Sequence, residues 1–394
     1  MIQNMAEEYN FDKIIKRENT DSVKYDLRKE HFGNANVLPM WVADMDFETP
    51  AFIREAIQKR AEHPIYGYSF MPEEYFEAII NWVKIRHRWN IKQEWISFTP
   101  GIIPAINFTI LTFSKEGEGV IVQPPVYFPF FEAIRSNNRI QLENRLANNK
   151  GCYTIDFNDL EEKAKKAGIL LLSSPHNPVS RCWTQEELKT IGEICLRNHI
   201  IIISDEIHND LILPGFRHTP MASVSGEIAN ITVTCIAPSK TFNIAGLSTS
   251  SVIISNPGLR KAFKKTLHQL HIFRGNLFGY AASTAGYEKG SEWVDRLMHY
   301  VQGNFDYLSS FLESELPQIE LTHPEATYLA WLDFRKTGLK DEEIKRKLIF
   351  EAGLGLSHGT VFGTGGEGFQ RMNLAVPRSL VEEACRRLKK IFNN

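Results

Sequence analysis

The run Ile231-Thr232-Val233-Thr234-Cys235-Ile236-Ala237-Pro238-Ser239-Lys240-Thr241-Phe242-Asn243-Ile244-Ala245-Gly246-Leu247 decides the fold. Its first seven residues are apolar or β-branched, as in a strand buried on both faces. It then breaks into small polar residues that carry a single lysine. An amine at the end of such a strand suits a Schiff-base lysine. Upstream, Ile200-Ile201-Ile202-Ile203 breaks in the same way into Ser204-Asp205-Glu206-Ile207-His208, so a carboxylate and an imidazole follow a second buried strand.

Working outward, further short strands rich in Ile, Leu and Val are expected at 119–123, 168–173 and 251–255, beside 200–204 and 231–237. All five read as members of a parallel sheet. Between two of them, Thr184 and Glu187 form a capping box ahead of Leu188, Ile191, Ile194 and Cys195, which line one face of a helix. Strand, helix, strand in this rhythm predicts a doubly wound α/β domain. Ligands of such domains bind beyond the carboxyl ends of the strands. The polar clusters fall there: 123–127, 173–178, 205–208 and 239–240.

The last hundred residues read differently. A long helix around 293–312 precedes short strands at 327–333 and 371–375 and helices near 341–351 and 380–392. Leu380, Ala384, Leu388 and Ile391 are expected to line the last helix. The expected division is a large domain over 51–288 and a smaller α+β domain from 1–50 and 289–394.

Composition narrows the function. The 394 residues are 43% hydrophobic and 23% charged, with a net charge of −2. Nothing in that balance draws the chain to nucleic acid or to anionic lipid. Residues 1–20 are polar and charged, without a signal-peptide pattern, and no apolar run approaches the roughly 20 residues that cross a bilayer. The five cysteines (152, 182, 195, 235, 385) are scattered and form no C-x-x-C pair, so free thiols are expected rather than a disulfide framework or a metal site. A cytoplasmic location follows from the same reading. Gly363-Thr364-Gly365-Gly366-Glu367-Gly368 matches G-x-G-x-x-G, yet no strand of the parallel set precedes it and no helix follows. It is expected to be a flexible surface loop, not a dinucleotide site.

Several further runs complete a pattern: Trp41-Val42-Ala43-Asp44-Met45-Asp46-Phe47, Tyr66-Gly67-Tyr68, Pro100-Gly101-Ile102-Ile103-Pro104-Ala105, Pro125-Val126-Tyr127, His176-Asn177-Pro178 and Phe369-Gln370-Arg371-Met372-Asn373. With Asp205–His208 and Ser239-Lys240, they make the chain resemble the fold-type I pyridoxal-phosphate enzymes of the aminotransferase class I/II superfamily. Within that superfamily it is most similar to the cystathionine β-lyase, or cysteine–carbon-sulfur lyase, branch. His208, where aminotransferases commonly carry tyrosine, and the 41–47 string are the features typical of that branch.

The resemblance implies the large domain with a mostly parallel sheet, pyridoxal 5'-phosphate as cofactor, and a role for each residue. Lys240 would bond the cofactor aldehyde and carry the substrate's Cα proton, and Asp205 would pair with the protonated ring nitrogen. Tyr127 would stack on the ring, Asn177 would reach its phenolic oxygen, and His208 would lie close by. The N–H groups of Ile102 and Ile103, at a helix N-terminus, would meet the phosphate with the Ser239 hydroxyl. No arginine follows Lys240 as far as Gly246, so the phosphate would lean on neutral donors. Arg371 would grip the substrate carboxylate through its planar fork, helped by Asn177. Met45 and Asp46 would close over the substrate. Tyr66 would reach the phosphate of a neighbouring subunit, making the site the shared property of a homodimer.

The activity so implied is α,β-elimination of L-cystathionine or related L-cysteine S-conjugates to a thiol, pyruvate and ammonia. The alternatives are an aminotransferase for an aromatic or dicarboxylic L-amino acid, and a cofactor-binding regulator without turnover.

Overall fold

Asp205 and Lys240 end up on one edge of a seven-stranded sheet because the strands that deliver them lie side by side in register. The computed structural model describes residues 9–392. The sheet is built from β1 (Ile96–Thr99), β2 (Gly119–Val122), β3 (Ile140–Glu143), β4 (Ala167–Ser173), β5 (Ile201–Asp205), β6 (Thr232–Ile236) and β7 (Ser250–Ile253), in the order β1-β7-β6-β5-β4-β2-β3. β3, β2, β4, β5 and β6 run parallel, with Ser173 opposite Asp205 and Asp205 opposite Cys235. The loops that leave β4, β5 and β6 therefore open on the same side.

β7 departs from expectation: it runs antiparallel to β6, and β1 runs antiparallel to it in turn. The physical reason lies in the connection. Residues 237–249 are spent on a short helix (Pro238–Thr241), which carries Lys240, and on one 3₁₀ turn (Ala245–Leu247). No crossover helix remains to return the chain to the start of the sheet, which a parallel partner requires.

Helices cover both faces. Alternate residues of β4 point opposite ways. Ile169 and Leu171 pack with Ile102, Ile106 and Ile110 of the helix Ile102–Phe113. Leu170 and Leu172 pack with Leu188, Ile191, Ile194 and Cys195 of the helix Gln185–Arg197. The expected capping box is present: Glu187 N–H donates to Thr184 Oγ1 at 3.1 Å, and Thr184 N–H to Glu187 Oε2 at 2.8 Å.

Beyond the 25-residue helix Ser291–Glu315 lies an antiparallel four-stranded sheet of β8 (Glu320–Leu321), β9 (Leu329–Asp333), β10 (Ser357–His358) and β11 (Phe369–Asn373), in the order β8-β9-β11-β10. The last helix, Arg378–Phe392, buries Val381, Ala384, Cys385, Leu388 and Phe392. Its apolar face is thus turned slightly from the expected one, and Leu380 and Ile391 lie only partly buried along it. Leu38–Pro39 pairs with Leu354–Gly355 and leads the chain into a strap over residues 41–47. Residues 1–8 of the expected 1–50 segment lie outside the described residues.

The glycine run 363–368 is more tightly held than expected. Gly366 and Gly368 are buried, and a Cβ on Gly359 would overlap the Gly366 carbonyl oxygen. Cys182, Cys195, Cys235 and Cys385 are buried, Cys152 partly so, and all are free. Among the described residues, no helix is long and apolar enough to cross a membrane.

Candidate active site

At the carboxyl edge of the large sheet a cavity of about 240 Å³ is lined by Ile102, Ile103, Tyr127, Asn177, Asp205, His208, Ser239 and Lys240. Eight of the expected site residues, from five separate stretches of chain, thus share one wall. Asp205 terminates β5. One carboxylate oxygen accepts the Ile207 N–H at 3.1 Å, and no other donor reaches the group among the described residues. Burial pushes Asp205 up to about 7, against the pull of that N–H and of Lys240. A buried carboxylate with acceptor capacity to spare is complementary to a cationic N–H.

Lys240 Nζ donates to the Ala43 carbonyl at 2.7 Å. Burial pushes the amine down to about 8, aided by Arg371 and opposed by Asp44 and Asp205. Such an amine can both lose and accept a proton near neutrality. His208 is buried, its Nδ1 lacks a partner, and desolvation pushes it down to about 3, so it is a neutral wall. Burial pushes the Tyr127 hydroxyl up and keeps it protonated.

Arg371, on β11, is fixed on all sides but one. Nη1 donates to Asn177 Oδ1 at 2.9 Å, Nη2 to the Trp41 carbonyl at 2.8 Å and to Ser357 Oγ at 3.3 Å. The guanidinium lies 4.9 Å from the Phe362 ring centroid. Its Nε is buried without a partner. A preoriented, unpaired guanidinium N–H fits a carboxylate. Among the described residues the Asn177 amide nitrogen also has no protein partner, because Arg371 takes the oxygen side of that group.

The opposite end of the cavity fits a phosphate. Ile102 and Ile103 form the first turn of their 12-residue helix, whose N-cap, Gly101, offers no side-chain acceptor for the free N–H groups. Ser239 lies beside them, and Ser248 and Thr249 close the wall. These last two were not anticipated. Ser248, exposed at the rim on a left-handed backbone (φ 44°) that the sequence does not signal, offers a neutral hydroxyl in place of an arginine, while the Thr249 hydroxyl already donates to the Leu247 carbonyl at 2.9 Å.

One expectation is corrected. Met45 and Asp46 do not line the cavity. Met45 is buried with its N–H on Asn243 Oδ1, and the Asp46 carboxylate is held by Lys24 at 2.9 Å, Tyr25 at 2.9 Å and Arg17 at 2.6 Å. Lys24 is fully buried, so the Asp46 charge is neutralised where it sits and faces away from the site. The strap meets the cavity through Ala43 instead. Tyr66 is exposed, with its hydroxyl on the Ala61 carbonyl and its ring against Phe278, and it takes no part in the cavity of its own chain. Among the described residues, no group of three or more His, Cys, Asp or Glu could hold a metal ion.

Geometry of this kind defines a class, the enzymes that hold an aromatic aldehyde phosphate between a lysine and a carboxylate at the edge of a doubly wound sheet. The family model for aminotransferase class I and II matches residues 35–388, and the chain belongs to that family. It is 42% identical to cystathionine beta-lyase PatB of Bacillus subtilis over 96% of this chain and 99% of the relative. It is 32% identical to protein MalY of Escherichia coli over 95% and 96%. Among solved structures, cystalysin from Treponema denticola, which contains pyridoxal 5'-phosphate, superposes with a TM-score of 0.94 at 38% identity, covering 97% of this chain and 98% of that one. The PLP-bound C-S lyase from Staphylococcus hominis gives 0.91 at 35% identity, over 98% of each.

Proposed function

We propose that this chain is a pyridoxal-phosphate-dependent carbon–sulfur β-lyase. It eliminates a thiol from L-cystathionine or a related L-cysteine S-conjugate, and the aminoacrylate released takes up one water to give pyruvate and ammonia. The observation that carries the reading is a proton-carrying lysine facing Asn177 in one cavity, with Arg371, its buried Nε unmatched, bonded to Asn177 from behind that wall. The likeness to a cystathionine β-lyase over nearly the whole chain selects elimination from the reactions such a pair can serve.

When bound, pyridoxal phosphate supplies a carbonyl for the substrate amine and a cationic ring that takes up the electron pair left at Cα. The protein supplies the rest. Arg371 and Asn177 fix the α-carboxylate, and with it the direction of the Cα–H bond. Lys240 Nζ, as the neutral amine, takes the Cα proton. The C–S bond at Cβ then breaks, and the sulfur leaves with its electron pair as a thiolate. Asp205 holds the proton on the ring nitrogen. Tyr127 and His208 present uncharged surfaces that keep water from the reacting atoms. The N–H groups of Ile102 and Ile103, with the Ser239 and Ser248 hydroxyls, hold the phosphate.

The enzyme is a cytoplasmic homodimer in this reading, with a large domain over 51–288 and a small one from 1–50 and 289–394. Support for the dimer comes from one exposed segment. Ile65, Tyr66, Tyr68 and Phe70 are 67%, 56%, 99% and 80% exposed, an apolar ridge that a lone chain leaves in water. A second copy would cover it and bring Tyr66 to the partner's phosphate.

The test is incubation with L-cystathionine and cofactor in the absence of any 2-oxo acid. Equimolar homocysteine and pyruvate are expected. Strict dependence on an oxo-acid acceptor would replace this reading with transamination, and a coloured protein inert to every amino acid would replace it with a regulatory role.

A further inference from the structure

The backbone of the strap 41–47 is almost wholly engaged from two sides. Asn243, three residues after Lys240, receives the Met45 N–H at 3.0 Å and donates to the Met45 carbonyl at 3.0 Å and to the Phe47 carbonyl at 3.1 Å. Asn373, two residues after Arg371, donates to the Val42 carbonyl at 2.7 Å and to the Asp44 carbonyl. The Ala43 carbonyl, between these clamps, takes two donors: Lys240 Nζ at 2.7 Å and the Tyr328 hydroxyl at 2.9 Å. A carbonyl oxygen has two lone pairs, so both donors fit at once.

Tyr328 stands just before β9 and is fully buried. Its backbone carbonyl accepts the Leu374 N–H at 2.7 Å, and its ring meets His208 edge-on at 6.2 Å. Packing alone would be served by phenylalanine. A buried hydroxyl is costly unless bonded, and among the described residues the Ala43 carbonyl is its sole protein partner.

We infer that the Ala43 carbonyl is the docking point of the Lys240 amine whenever that amine is free, that Asn243 is a positioning residue that holds the strap carrying this carbonyl, and that Tyr328 is a positioning residue that acts by sharing the carbonyl with the amine as its second donor. The inference rests on the assignment of Lys240 as the group that bonds the cofactor and carries the proton. During turnover Lys240 must leave the cofactor and then take a proton from Cα. An amine free to wander would do the second step slowly. An acceptor 2.7 Å away keeps it within reach of Cα.

The two positioning residues act with opposite sign. The charged groups that face Lys240 are Asp205 at the end of β5, Arg371 on β11 and Asp44 in the strap; Tyr328→Phe leaves all three in place, whereas Asn243→Gly frees Asp44 with the strap, which lowers the Lys240 value in the same direction as loss of the carbonyl. Tyr328→Phe removes a competing donor, so the carbonyl holds the ammonium form more firmly and Lys240 keeps its proton to higher pH. Asn243→Gly, which tolerates the left-handed backbone at that position (φ 57°), releases the strap. The ammonium form then loses its acceptor, and Lys240 sheds its proton at lower pH.

Two readouts test this on the full-length chain. In the holoenzyme, Tyr328→Phe is expected to lower kcat roughly fivefold to tenfold near neutrality, with KM changed less than about twofold, and to move the acid limb of kcat up by roughly 0.5–1 pH unit. In cofactor-free protein, the pH of half-maximal labelling of Lys240 by an amine-reactive ester, followed by peptide mass, is expected to rise in Tyr328→Phe and fall in Asn243→Gly. Superimposable labelling curves for wild type and both variants would overturn the inference, as would an unchanged acid limb in Tyr328→Phe. If Tyr328→Phe does not fold, the Asn243→Gly curve decides alone. Should wild type release no thiol from any S-conjugate, the lyase reading fails, while the labelling result still stands or falls by itself.

Discussion

Arg371 Nη2 and the carbonyl of Trp41 meet at 2.8 Å across 330 residues of sequence. The arginine therefore has its place set by the strap, by Asn177 and by Ser357 before any substrate arrives. Only its Nε side remains to be matched.

Arg371→Lys tests that preorganisation. A lysine keeps the charge but cannot hold Asn177, the strap and a carboxylate at once. KM for the S-conjugate is expected to rise about 30-fold to 150-fold, as for a lost charge-assisted bond of about 2–3 kcal/mol. Steady-state kinetics with cystathionine and with a shorter conjugate should show the same factor, because the α-carboxylate is common to both.

Asp205→Asn should separate function from stability. In the holoenzyme the amide no longer holds the ring nitrogen's proton, and kcat is expected to fall at least about 100-fold. In cofactor-free protein the sign reverses. Burial pushes Asp205 up to about 7, so the folded chain binds a proton between the ordinary carboxylate value of 3.8 and 7 that the unfolded chain releases. Stability from this group therefore falls as pH rises through that window. The variant removes the penalty: Tm should rise by about 2–4 °C at pH 8 and by much less at pH 5, where aspartate is itself neutral. Scanning calorimetry at the two pH values measures the difference.

The rate should follow the Lys240 amine. With burial holding it at about 8, the neutral form grows as pH rises through that value, and kcat is expected to climb across the same range. Lys240 also acts on stability. The unfolded chain holds the ammonium up to about 10.5 while the folded one has already released its proton, so the cofactor-free chain gains stability between about pH 8 and 10.5. A kcat profile flat from pH 6 to 9 would remove Lys240 as the group that takes the proton.

Much of the site was legible because the chemistry sits where buried strands end. β5 and β6 are read from their Ile and Val runs, and Asp205 and Lys240 follow them directly. The motif resemblance added Asn177, Tyr127 and Arg371, and the cavity brings the first two together with Lys240. What the sequence concealed was of another kind. Asp46 and Ala43 lie three residues apart in one string, and the Lys24, Tyr25 and Arg17 side chains together decide that Asp46 turns away. Tyr328 touches the strap from 285 residues downstream, with no local pattern to announce it. The reversed direction of β7 depends on how residues 237–249 are spent, which hydrophobic periodicity does not record.

Gly359→Ala should harm the site from a distance. Its Cβ would overlap the Gly366 carbonyl oxygen and the Phe369 backbone. Three residues on, the same turn carries Phe362, whose ring faces Arg371. An overpacking cost of about 1–3 kcal/mol is expected, together with a raised KM. Urea denaturation combined with kinetics checks both, and a destabilised variant with unchanged KM would uncouple the turn from the arginine.

Glu325 ties the Asn177 loop to the small sheet. Arg181 Nη1 donates to Glu325 Oε2 at 2.6 Å, and Arg181 Nη2 to Glu187 Oε1 at 2.7 Å, all three being largely shielded from water. Glu325→Ala leaves Arg181 with one carboxylate in place of two and the Cys182 N–H without its acceptor. A loss of about 3 kcal/mol is expected, read as a lower urea midpoint at pH 7.

The double clamp on residues 41–47 bears on how the molecule is made. One anchor, Asn243, is translated about 130 residues before the other, Asn373, so the two cannot be set at the same time. A nascent chain can thus complete the floor of the pocket long before its cover is secured, so competence arrives in a late step, once the carboxyl-terminal strands have docked.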